Sequence, residues 1–340
     1  MKDVIICEAI PFGYGPAAIL NSLLPELEKD YRIVIASSGS TYEFFKKTKY
    51  ETLYCDSYDV PGITEFLRGF HGDVKIVFSV ENERYMYAAK ALNIRTVYVD
   101  LFEFIWDTTA NYMPYVDKYI VYQLFEDEQT IQRLAKKGVT FITPKTPVCS
   151  KHVHADNITI HIGGLNSKYI QDDLLNIYAE YVSSIIESIY IQQKKPIQVI
   201  TSGIFMDILK KKVTTNNDCS YFADIAYSTF VEMVSCSALY ITTPGIHSVL
   251  LGISNNLPLR ILHPANYTQY VQLKCFCKRF GVSLSIFSKH QKDNQTIEIM
   301  KESDGLKMIK QRLEYYQNPI VMAQHTEDVI KEEFNPNRII

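Results

Sequence analysis

The sequence lacks the cysteine and metal-binding patterns that mark several classes of protein. Its seven cysteines are an odd number spread over 340 residues, and none belongs to a Cys-x-x-Cys pair. This arrangement argues against both a disulfide framework and a zinc site. His152 and His154 could share one face of a strand, but two histidines alone are a weak signal for a metal site. We therefore predict no metal site.

Long apolar runs and a strong excess of one charge are also missing. No run approaches the roughly 20 apolar residues that span a bilayer. The 35 basic and 38 acidic residues give a net charge of -3, which is too balanced for a general nucleic-acid-binding surface. The first residues show no cleavable signal pattern. We expect a cytoplasmic protein with no transmembrane segment and no nucleic-acid polymer as partner.

Three common catalytic signatures are absent as well. No Gly-x-Gly-x-x-Gly follows the first β-like run, no Gly-Lys-Ser/Thr phosphate loop occurs, and there is no Gly-x-Ser-x-Gly nucleophile elbow. The sequence therefore argues against a dinucleotide oxidoreductase, a phosphate-loop kinase or ATPase, and a hydrolase with a nucleophile elbow.

The first half of the chain alternates β-branched runs with helical patterns. Such alternation predicts parallel strands joined by right-handed crossovers, which form a doubly wound sheet. We predict an α/β, Rossmann-like domain over residues 1–148. Its predicted strands are 4–9, 32–36, 51–55, 75–79, 95–99 and 118–122, and its predicted helices are 16–29, 40–47, 62–70, 83–92 and 126–137.

Two prolines in Thr143-Pro-Lys-Thr-Pro-Val148 indicate a linker, after which the alternation resumes. We predict a second Rossmann-like domain over residues 149–340, with a cleft between the two domains and a helical C-terminus that includes residues 301–332. The predicted strands are 157–161, 196–200, 212–215, 238–242 and 258–262, and the predicted helices are 169–191, 203–211, 221–234 and 246–254, with a helical pattern beyond residue 268.

Two turns in the second half place backbone amides at the ends of strands. One is His161-Ile-Gly-Gly-Leu165, and the other, Thr243-Pro-Gly-Ile-His-Ser248, opens a helix. Free amides and the positive end of a helix dipole favour an anion such as a phosphate. Two such turns suit a diphosphate. We therefore predict a diphosphate site lined by Gly163, Gly164, Pro244, Gly245, His247 and Ser248. The alternative for His247 is a helix-start residue without a ligand.

A glycine pair also follows the first predicted strand. Gly13 and Gly15 flank Tyr14 and could approach a ligand closely, because neither glycine has a Cβ. An ordinary strand-to-helix turn, with Pro16 at the first helical position, explains the same residues.

Acidic residues cluster after the fifth predicted strand, at the sheet edge where doubly wound folds bind ligands. We expect at least one of Asp100, Glu103 and Asp107 to line the cleft, although each could instead cap the next helix. Trp106 in the same loop could stack on a base or sugar, or pack in the core. Glu81 should face the same crevice, unless Asn82 simply caps the next helix.

These segments resemble those of GT-B glycosyltransferases. The loop of residues 11–18 resembles the acceptor-facing loop of UDP-sugar transferases, and residues 161–165 resemble their interdomain Gly-Gly turn. Residues 243–258 are similar to the donor-binding helix motif of the bacterial lipid-II-forming and antibiotic-decorating transferases. The tract at residues 97–107, with Tyr122-Gln123, resembles a branch whose neighbours include cytosylglucuronate synthase, which uses a free nucleobase as acceptor.

The resemblance implies a metal-independent transfer of a sugar from a nucleotide sugar, expected to be a UDP-sugar, to a small-molecule acceptor such as a natural product or nucleobase. No further cofactor is implied. One of the three acids at residues 100–107 would act as base. The resemblance adds Ser202 and Gly203 near the nucleotide and Gln269 at the sugar hydroxyls, and it assigns acceptor binding to Gly13, Tyr14, Gly15, Glu81 and Trp106.

Two positions depart from the family pattern. Leu251 replaces the glutamate that binds the ribose hydroxyls, and Tyr14 replaces the first-loop histidine that often serves as base. A tyrosine with its ordinary pKa of about 10 is a poor base at neutral pH. Two other functions therefore stay open, a nucleotide-sugar hydrolase or epimerase of the same fold and a non-catalytic binding protein derived from a transferase.

Overall fold

The computed structural model describes residues 2–70, 72–106, 109–143, 146–148, 156–165, 172–214 and 218–280. Within these ranges the chain forms two parallel sheets flanked by helices, so the prediction of two Rossmann-like units is confirmed. None of the helices in the described ranges combines the length and the apolar character needed to cross a membrane. The predicted boundary between residues 148 and 149 remains a prediction.

The first sheet is built from β1 (Val4–Ala9), β2 (Arg32–Ser37), β3 (Glu51–Tyr54), β4 (Val74–Val80), β5 (Arg95–Asp100), β6 (Lys118–Tyr122) and β7 (Thr140–Ile142). Its strand order is β3-β2-β1-β4-β5-β6-β7, and every pair is parallel. The central strand β1 is buried along its whole length, as expected where helices cover both faces of a parallel sheet.

Helices connect these strands as the sequence predicted, with additional short helices after β5. They are α1 (Gly15–Leu27), α2 (Gly39–Phe45), α3 (Val60–Arg68), α4 (Glu83–Ala91), α5 (Glu103–Trp106), α6 (Thr109–Tyr112) and α7 (Glu128–Ala135). Pro16 lies in the first turn of α1, where its missing N–H costs no helical hydrogen bond. The side chain of Asn82 caps α4 by accepting a hydrogen bond from the Arg84 amide.

The second sheet is built from β8 (Ile158–His161), β9 (Ile197–Thr201), β10 (Cys219–Ala223), β11 (Leu239–Thr242) and β12 (Leu259–Ile261), in the order β10-β9-β8-β11-β12. All of its pairs are parallel. The helices of this half are α8 (Asp172–Gln193), α9 (Gly203–Lys210), α10 (Tyr227–Ser235), α11 (Ile246–Ser254) and α12 (Tyr267–Phe280).

One strand of the second half was predicted in the wrong place. Residues 212–215 were expected as a strand and 221–234 as a helix, whereas β10 occupies Cys219–Ala223 and α10 begins only at Tyr227. The β-branched residues Val213 and Thr214 favour a strand locally, but β9 pairs instead with residues 219–223. Helices predicted at 301–332, together with Asp107 and the side chain of Trp106, lie outside the described residues.

The two halves pack directly against each other. Ile246, at the start of α11, is buried in the same apolar cluster as Ile19 and Leu20 of α1. Farther along the chain, Phe276 of α12 meets Phe125 edge-on, with ring centroids 5.0 Å apart. These contacts hold the carboxyl edge of one sheet against that of the other.

The strand order reverses between β1 and β4 in the first sheet and between β8 and β11 in the second. Doubly wound folds bind ligands beyond the carboxyl ends of the strands at such reversals. The loops that follow β1 and β4 in the first sheet, and β8 and β11 in the second, are therefore the segments that the topology favours for a binding site.

Candidate functional site

A cavity lies between the carboxyl edges of the two sheets. The first half contributes the loops after β1 and β5 and part of α2, and the second half contributes the loops after β8, β9, β10 and β11 and the start of α12. The structure brings many of the predicted site residues together in its lining, namely Gly13, Tyr14, Gly15, Gly163, Gly164, Ser202, Gly245, His247, Ser248 and Gln269.

The two glycine turns meet across this cavity. Gly13 and Gly164 both adopt left-handed backbone angles, with φ of 78° and 79°. A Cβ built on Gly13 would lie 3.8 Å from the Cα of Gly164. The backbones of the two halves thus approach each other closely at two glycines, which have no side chains to keep them apart.

The turn at Gly163 and Gly164 is held from several directions. The Gly163 amide donates to Thr243 Oγ1 over 3.1 Å. Gln269 Nε2 donates to the Gly163 carbonyl over 2.9 Å, and Asn266 Nδ2 donates to the Gly164 carbonyl over 3.2 Å. Because the Gly163 amide is already bonded, the turn amide that remains a candidate for a bound anion is that of Gly164.

Gln269, which was predicted to contact sugar hydroxyls, has a structural role in the described chain. Its Oε1 accepts a hydrogen bond of 2.8 Å from the Ala265 amide, while its Nε2 binds the Gly163 carbonyl. Both ends of the amide are thus bonded to the backbone. Gln269 fixes the glycine turn relative to α12, and its predicted contact with sugar hydroxyls stays a prediction.

The first turn of α11 presents amides and polar side chains to the cavity. The amides of residues 246–248 have no carbonyl within the helix to bond, as at any helix start. His247 Nε2 lies 2.7 Å from the Tyr227 hydroxyl, and Ser248 Oγ lies 3.1 Å from His161 Nδ1. This end of α11 combines the positive end of a helix dipole with neutral hydrogen-bonding groups.

Both histidines beside this helix end are neutral at pH 7. Burial lowers the pKa of His247 to about 4. Burial also lowers the pKa of His161 to about 3, with a further contribution from His247. In this state each imidazole can donate and accept a hydrogen bond but carries no positive charge.

Tyr14 links the two halves through its hydroxyl group. It donates a 2.7 Å hydrogen bond to Asp224 Oδ1, which follows β10, and Lys47 Nζ donates to the carbonyl oxygen of the same aspartate. Burial and the bond to Asp224 raise the pKa of Tyr14 well above its usual range. Tyr14 is therefore protonated at neutral pH and joins the two halves at the cavity as a hydrogen-bond donor.

Aromatic rings from both halves form one wall. Phe44 of α2 lies 5.6 Å from Tyr227 of α10 between ring centroids, and Phe230 lies 4.7 Å from the His161 ring. All four rings line the cavity. Aromatic faces of this kind can stack on a base or a sugar.

Two of the acids predicted as catalytic, Asp100 and Glu103, do not line the cavity. Asp100 is 1% exposed and Glu103 is 3% exposed. Tyr119 of β6 donates a 2.6 Å hydrogen bond to Asp100 Oδ2, and the Thr109 amide binds Glu103 over 3.0 Å. Neighbouring strand and loop groups hold both carboxylates in the interior, and because Asp107 lies outside the described residues, the expectation that at least one of the three acids lines the cleft stays a prediction.

Glu81 does not line the cavity either. The Leu101 amide donates to its carboxyl group, and burial, reinforced by the nearby Asp100 charge, raises the pKa of Glu81 far above its usual range. The predicted acceptor contact at Glu81 stays a prediction. Among the described residues, the carboxylates that line the cavity are Glu43 of α2 and Asp224.

Two further predicted site residues, Gly203 and Pro244, are not part of the cavity lining. Gly203 begins α9 and Pro244 precedes Gly245, and both are neighbours of lining residues rather than part of the lining. Leu251 is fully buried in a core cluster with Val234 and Tyr240. Position 251 therefore serves packing in this chain.

Several lining residues could not be recognised in the sequence. Asp224 was not recognised because β10 was predicted at the wrong residues, so that the sequence did not place Asp224 at the end of a strand. Glu43, Phe44 and Lys47 lie on or beside α2, an amphipathic helix without a motif. Within the described ranges, no group of three or more His, Cys, Asp or Glu residues is arranged to hold a metal ion.

Comparison with known proteins identifies the fold. A scan against protein-family models matched none, and a search of curated proteins found no relative. Among solved structures, Phytolacca americana UGT2 complexed with UDP-2fluoro-glucose and pterostilbene is 9% identical over 93% of this chain and 94% of its own, with a TM-score of 0.52.

Two further structures are similar over their whole lengths. A UDP-glucose: anthocyanidin 3-O-glucosyltransferase in complex with UDP is 11% identical, covers 99% of both chains and has a TM-score of 0.54. Methanocaldococcus jannaschii UDP-GlcNAc 2-epimerase in complex with UDP-GlcNAc and UDP is 13% identical, covers 89% of this chain and 100% of its own, and has a TM-score of 0.54. The chain has the GT-B glycosyltransferase-like fold that its sequence predicted.

Proposed function

We propose that this protein is a glycosyltransferase that moves a sugar from a nucleotide sugar to a small-molecule acceptor. The observation that carries the proposal is the cavity between the two sheets, where the Gly164 turn and the start of α11 face the loop of Gly13 and Tyr14. A donor bound to one side of the cavity would lie next to an acceptor bound to the other side. Holding two reactants in the correct relative orientation is one way in which enzymes accelerate a reaction.

The donor diphosphate would lie against the amides of residues 246–248 and of Gly164. A helix N-terminus favours negative charge, and the leaving diphosphate gains charge as the glycosidic bond breaks. His247 and Ser248 line the same part of the cavity and can donate hydrogen bonds. On this basis we propose a metal-independent transfer in which the protein itself stabilises the leaving group.

Uracil is the proposed base of the nucleotide. The three similar structures described above were solved with UDP or a UDP-sugar. The rings of Tyr227 and Phe230 offer an aromatic surface for the base or ribose, and Ser202 lines the same side of the cavity. The donor is a co-substrate, and no other cofactor is part of the proposal.

The acceptor would bind against the first half, beside Tyr14, Gly15 and Phe44. Glu43 is the carboxylate of this half that lines the cavity. Because Asp100 and Glu103 are buried away from it, we propose Glu43 as the base that removes the acceptor proton.

An epimerase that acts on a nucleotide sugar is the second candidate. The Methanocaldococcus jannaschii epimerase has the same TM-score as the anthocyanidin glucosyltransferase, 0.54. The cavity accommodates either chemistry, because both would begin by stabilising a departing UDP.

Turnover with and without an acceptor distinguishes the two candidates. The purified protein is incubated with UDP-glucose or UDP-N-acetylglucosamine, alone and with phenolic and nucleobase acceptors, and UDP and sugar products are quantified by mass spectrometry. A glycosyltransferase releases UDP in proportion to a new glycoside. Conversion of the sugar without an acceptor would instead support the epimerase or hydrolase, and no binding or turnover of any donor would contradict the proposal.

A further inference from the structure

Glu81 has an unusual backbone conformation and is bonded to the end of β5 through both its backbone and its side chain. Its φ is 64°, in the left-handed region that residues other than glycine rarely adopt. The Glu81 amide donates a 3.0 Å hydrogen bond to the Val99 carbonyl, and the Glu81 carboxyl group accepts one from the Leu101 amide. Glu81 therefore holds the chain on both sides of Asp100.

Asp100 fixes the segment that follows β5. Its Oδ1 accepts a 2.7 Å hydrogen bond from the Phe102 amide, and its Oδ2 accepts one of 2.6 Å from the Tyr119 hydroxyl. Leu101 and Phe102 both line the cavity. They belong to the first half, which is the proposed acceptor side. Glu81 and Asp100 thus bond the amides of the two residues through which β5 reaches the cavity wall.

The carboxyl groups of Glu81 and Asp100 are also hydrogen-bonded to each other. Such a bond requires a proton on one of the two groups, because ionised carboxylates have no hydrogen to donate and repel each other. Burial, reinforced by the Asp100 charge, raises the pKa of Glu81 far above its usual range. The pair therefore holds one proton at neutral pH.

The groups that face this pair are acids and neutral hydroxyls. They are Glu83 at the start of α4, Tyr98 of β5, Tyr112 of α6, Tyr119 of β6 and Glu126 beyond β6. Arg84 forms an ion pair of 3.1 Å with Glu83. Burial raises the pKa of Tyr98 and Tyr112 above their usual range, so both stay neutral at high pH. Loss of the shared proton would add a second negative charge to this setting, which is unfavourable.

We propose that Glu81 and Asp100 share one proton and act as a positioning pair, which holds Leu101 and Phe102 in the wall of the cavity where the acceptor binds. The acceptor in this statement rests on the proposed function, whereas the shared proton does not. Both acids act through backbone amides of the wall, so a direct contact with the ligand is not required. The arrangement is kept while the pair is protonated and is lost as the pH rises through its raised pKa.

Proton linkage to unfolding tests the shared proton. Urea denaturation is measured at pH 5, 6, 7 and 8 for the wild type, Glu81→Gln and Asp100→Asn. Each amide keeps the shape of the acid and donates the bond across the pair without ionising. Unfolded carboxyl groups lose their protons above about pH 4.3. The unfolding constant of the wild type should therefore rise with pH more steeply than that of either variant, by up to about tenfold per pH unit.

A slope parallel to that of the wild type in either variant would overturn the shared proton, because each substitution removes one of the two groups that hold it.

Hydrogen exchange tests the positioning role without a ligand. Glu81→Leu removes the bond to the Leu101 amide, whereas Glu81→Gln keeps an acceptor oxygen. Glu8→Leu is the matched control, because Glu8 is a buried glutamate with a raised pKa that is bonded to Ser79 and Asn82. Relative to the rest of the protein, the amides of residues 101 and 102 should exchange about threefold to tenfold faster in Glu81→Leu, the range of one hydrogen bond. They should exchange as in the wild type in the other two variants.

Steady-state kinetics with the same variants separate the acceptor from the donor. With the phenolic or nucleobase acceptor that gives turnover, Glu81→Leu should raise the acceptor KM by a similar factor and leave the KM for the UDP-sugar unchanged. Glu81→Gln should restore the wild-type acceptor KM. Glu8→Leu should change neither KM.

Unchanged exchange at residues 101 and 102 in Glu81→Leu, or an equal rise of both KM values, would overturn the positioning role. If Glu81→Leu does not fold, the denaturation slopes of the two amide variants still decide whether the pair shares a proton, on which the inference depends. A wild type without turnover would have a different meaning. It would remove the proposed function, while denaturation and exchange would still test the pair, because neither measurement needs a ligand.

Discussion

Glu43 and Glu65 occupy matched settings on two helices of the first half. Each forms an ion pair of 2.5 Å with a basic residue three positions later, Lys46 and Arg68 respectively. Only Glu43 lines the cavity. If Glu43 is the base, Glu43→Gln should lower kcat by roughly 100-fold or more, the usual contribution of a general base, with little change in donor affinity. Steady-state kinetics with a UDP-sugar and an acceptor measure both quantities.

Glu65→Gln provides the control for this prediction. It removes an equivalent surface ion pair, whose contribution to stability is small, but it lies outside the cavity. Its kcat should match that of the wild type. Equal kcat values for Glu43→Gln and the wild type would remove Glu43 from the mechanism.

Glu8 on β1 makes stability depend on pH. Burial raises its pKa to about 8, against the opposing effect of hydrogen bonds from Asn82 and Ser79. Because the folded-state pKa lies above the unfolded value, the folded protein holds more protons between about pH 4.3 and pH 8. The stability contributed by protonated Glu8 is complete below this window and is lost as the pH rises through it.

Glu8→Gln should remove this part of the pH dependence. The amide preserves the shape of the protonated carboxyl group and cannot ionise. We expect the free energy of unfolding of the wild type to fall with pH more steeply than that of Glu8→Gln, by up to about 1.4 kcal/mol per pH unit. Urea denaturation of both proteins at pH 5, 6, 7 and 8 gives the two slopes. Parallel slopes would mean that Glu8 does not bind a proton in the folded state across this range.

At the residue scale, some features of the site could be predicted from the sequence and others could not. The positions of Gly163, Gly164, His247 and Ser248 could be predicted, because turn chemistry and a helix start are local features. The burial of Asp100 could not, because it depends on a hydroxyl group of Tyr119, 19 residues away on another strand. The bonding of Gln269 likewise depends on a turn more than 100 residues earlier in the chain.

At the scale of elements, α12 joins the two halves through one large side chain. Phe276 is fully buried and packs with Val249, Ile261 and Leu273, besides its contact with Phe125. Phe276→Ala should lower the free energy of unfolding by about 3–5 kcal/mol, the typical cost of removing a buried aromatic ring. Chemical denaturation measures this change.

The neighbouring Cys275→Ala is a suitable comparison, because Cys275 is only partly buried and its substitution removes one atom. It should cost much less than Phe276→Ala. Similar losses for the two variants would show that α12 does not depend on this ring for its packing.

Prediction of elements succeeded where burial gives a strong pattern. The strand β1 is a continuous apolar run apart from Glu8, and its bounds were predicted correctly. The edge strand β10 is only partly buried along its length, so its residues do not alternate clearly between apolar and polar. Its pairing with β9 is a tertiary effect, which local propensity at residues 212–215 could not reveal.

At the scale of the whole molecule, the binding site depends on how the two sheets face each other. Gly13 and Gly164 come from loops that follow the first strand of each sheet, and they meet where the strand orders reverse. The strand–helix alternation was sufficient to predict two such sheets. The contacts of Tyr14 with Asp224, and of Phe276 with Phe125, arise only from the relative placement of the halves.

The most direct test of a nucleotide site in this cavity is a calorimetric titration of UDP into the wild type and Gly245→Asp. Gly245 caps α11 with ordinary negative φ, and a Cβ there would contact only Ser248 Oγ, at 3.8 Å. Aspartate is a favourable helix cap, so the variant should fold. Its negative charge would lie at the N-terminus of α11, where the diphosphate is proposed to bind.

We predict that the wild type binds UDP with one site and that Gly245→Asp binds it roughly tenfold more weakly or worse, at unchanged thermal stability. A wild type that does not bind UDP, or a variant that binds it equally well, would contradict a diphosphate site at the start of α11.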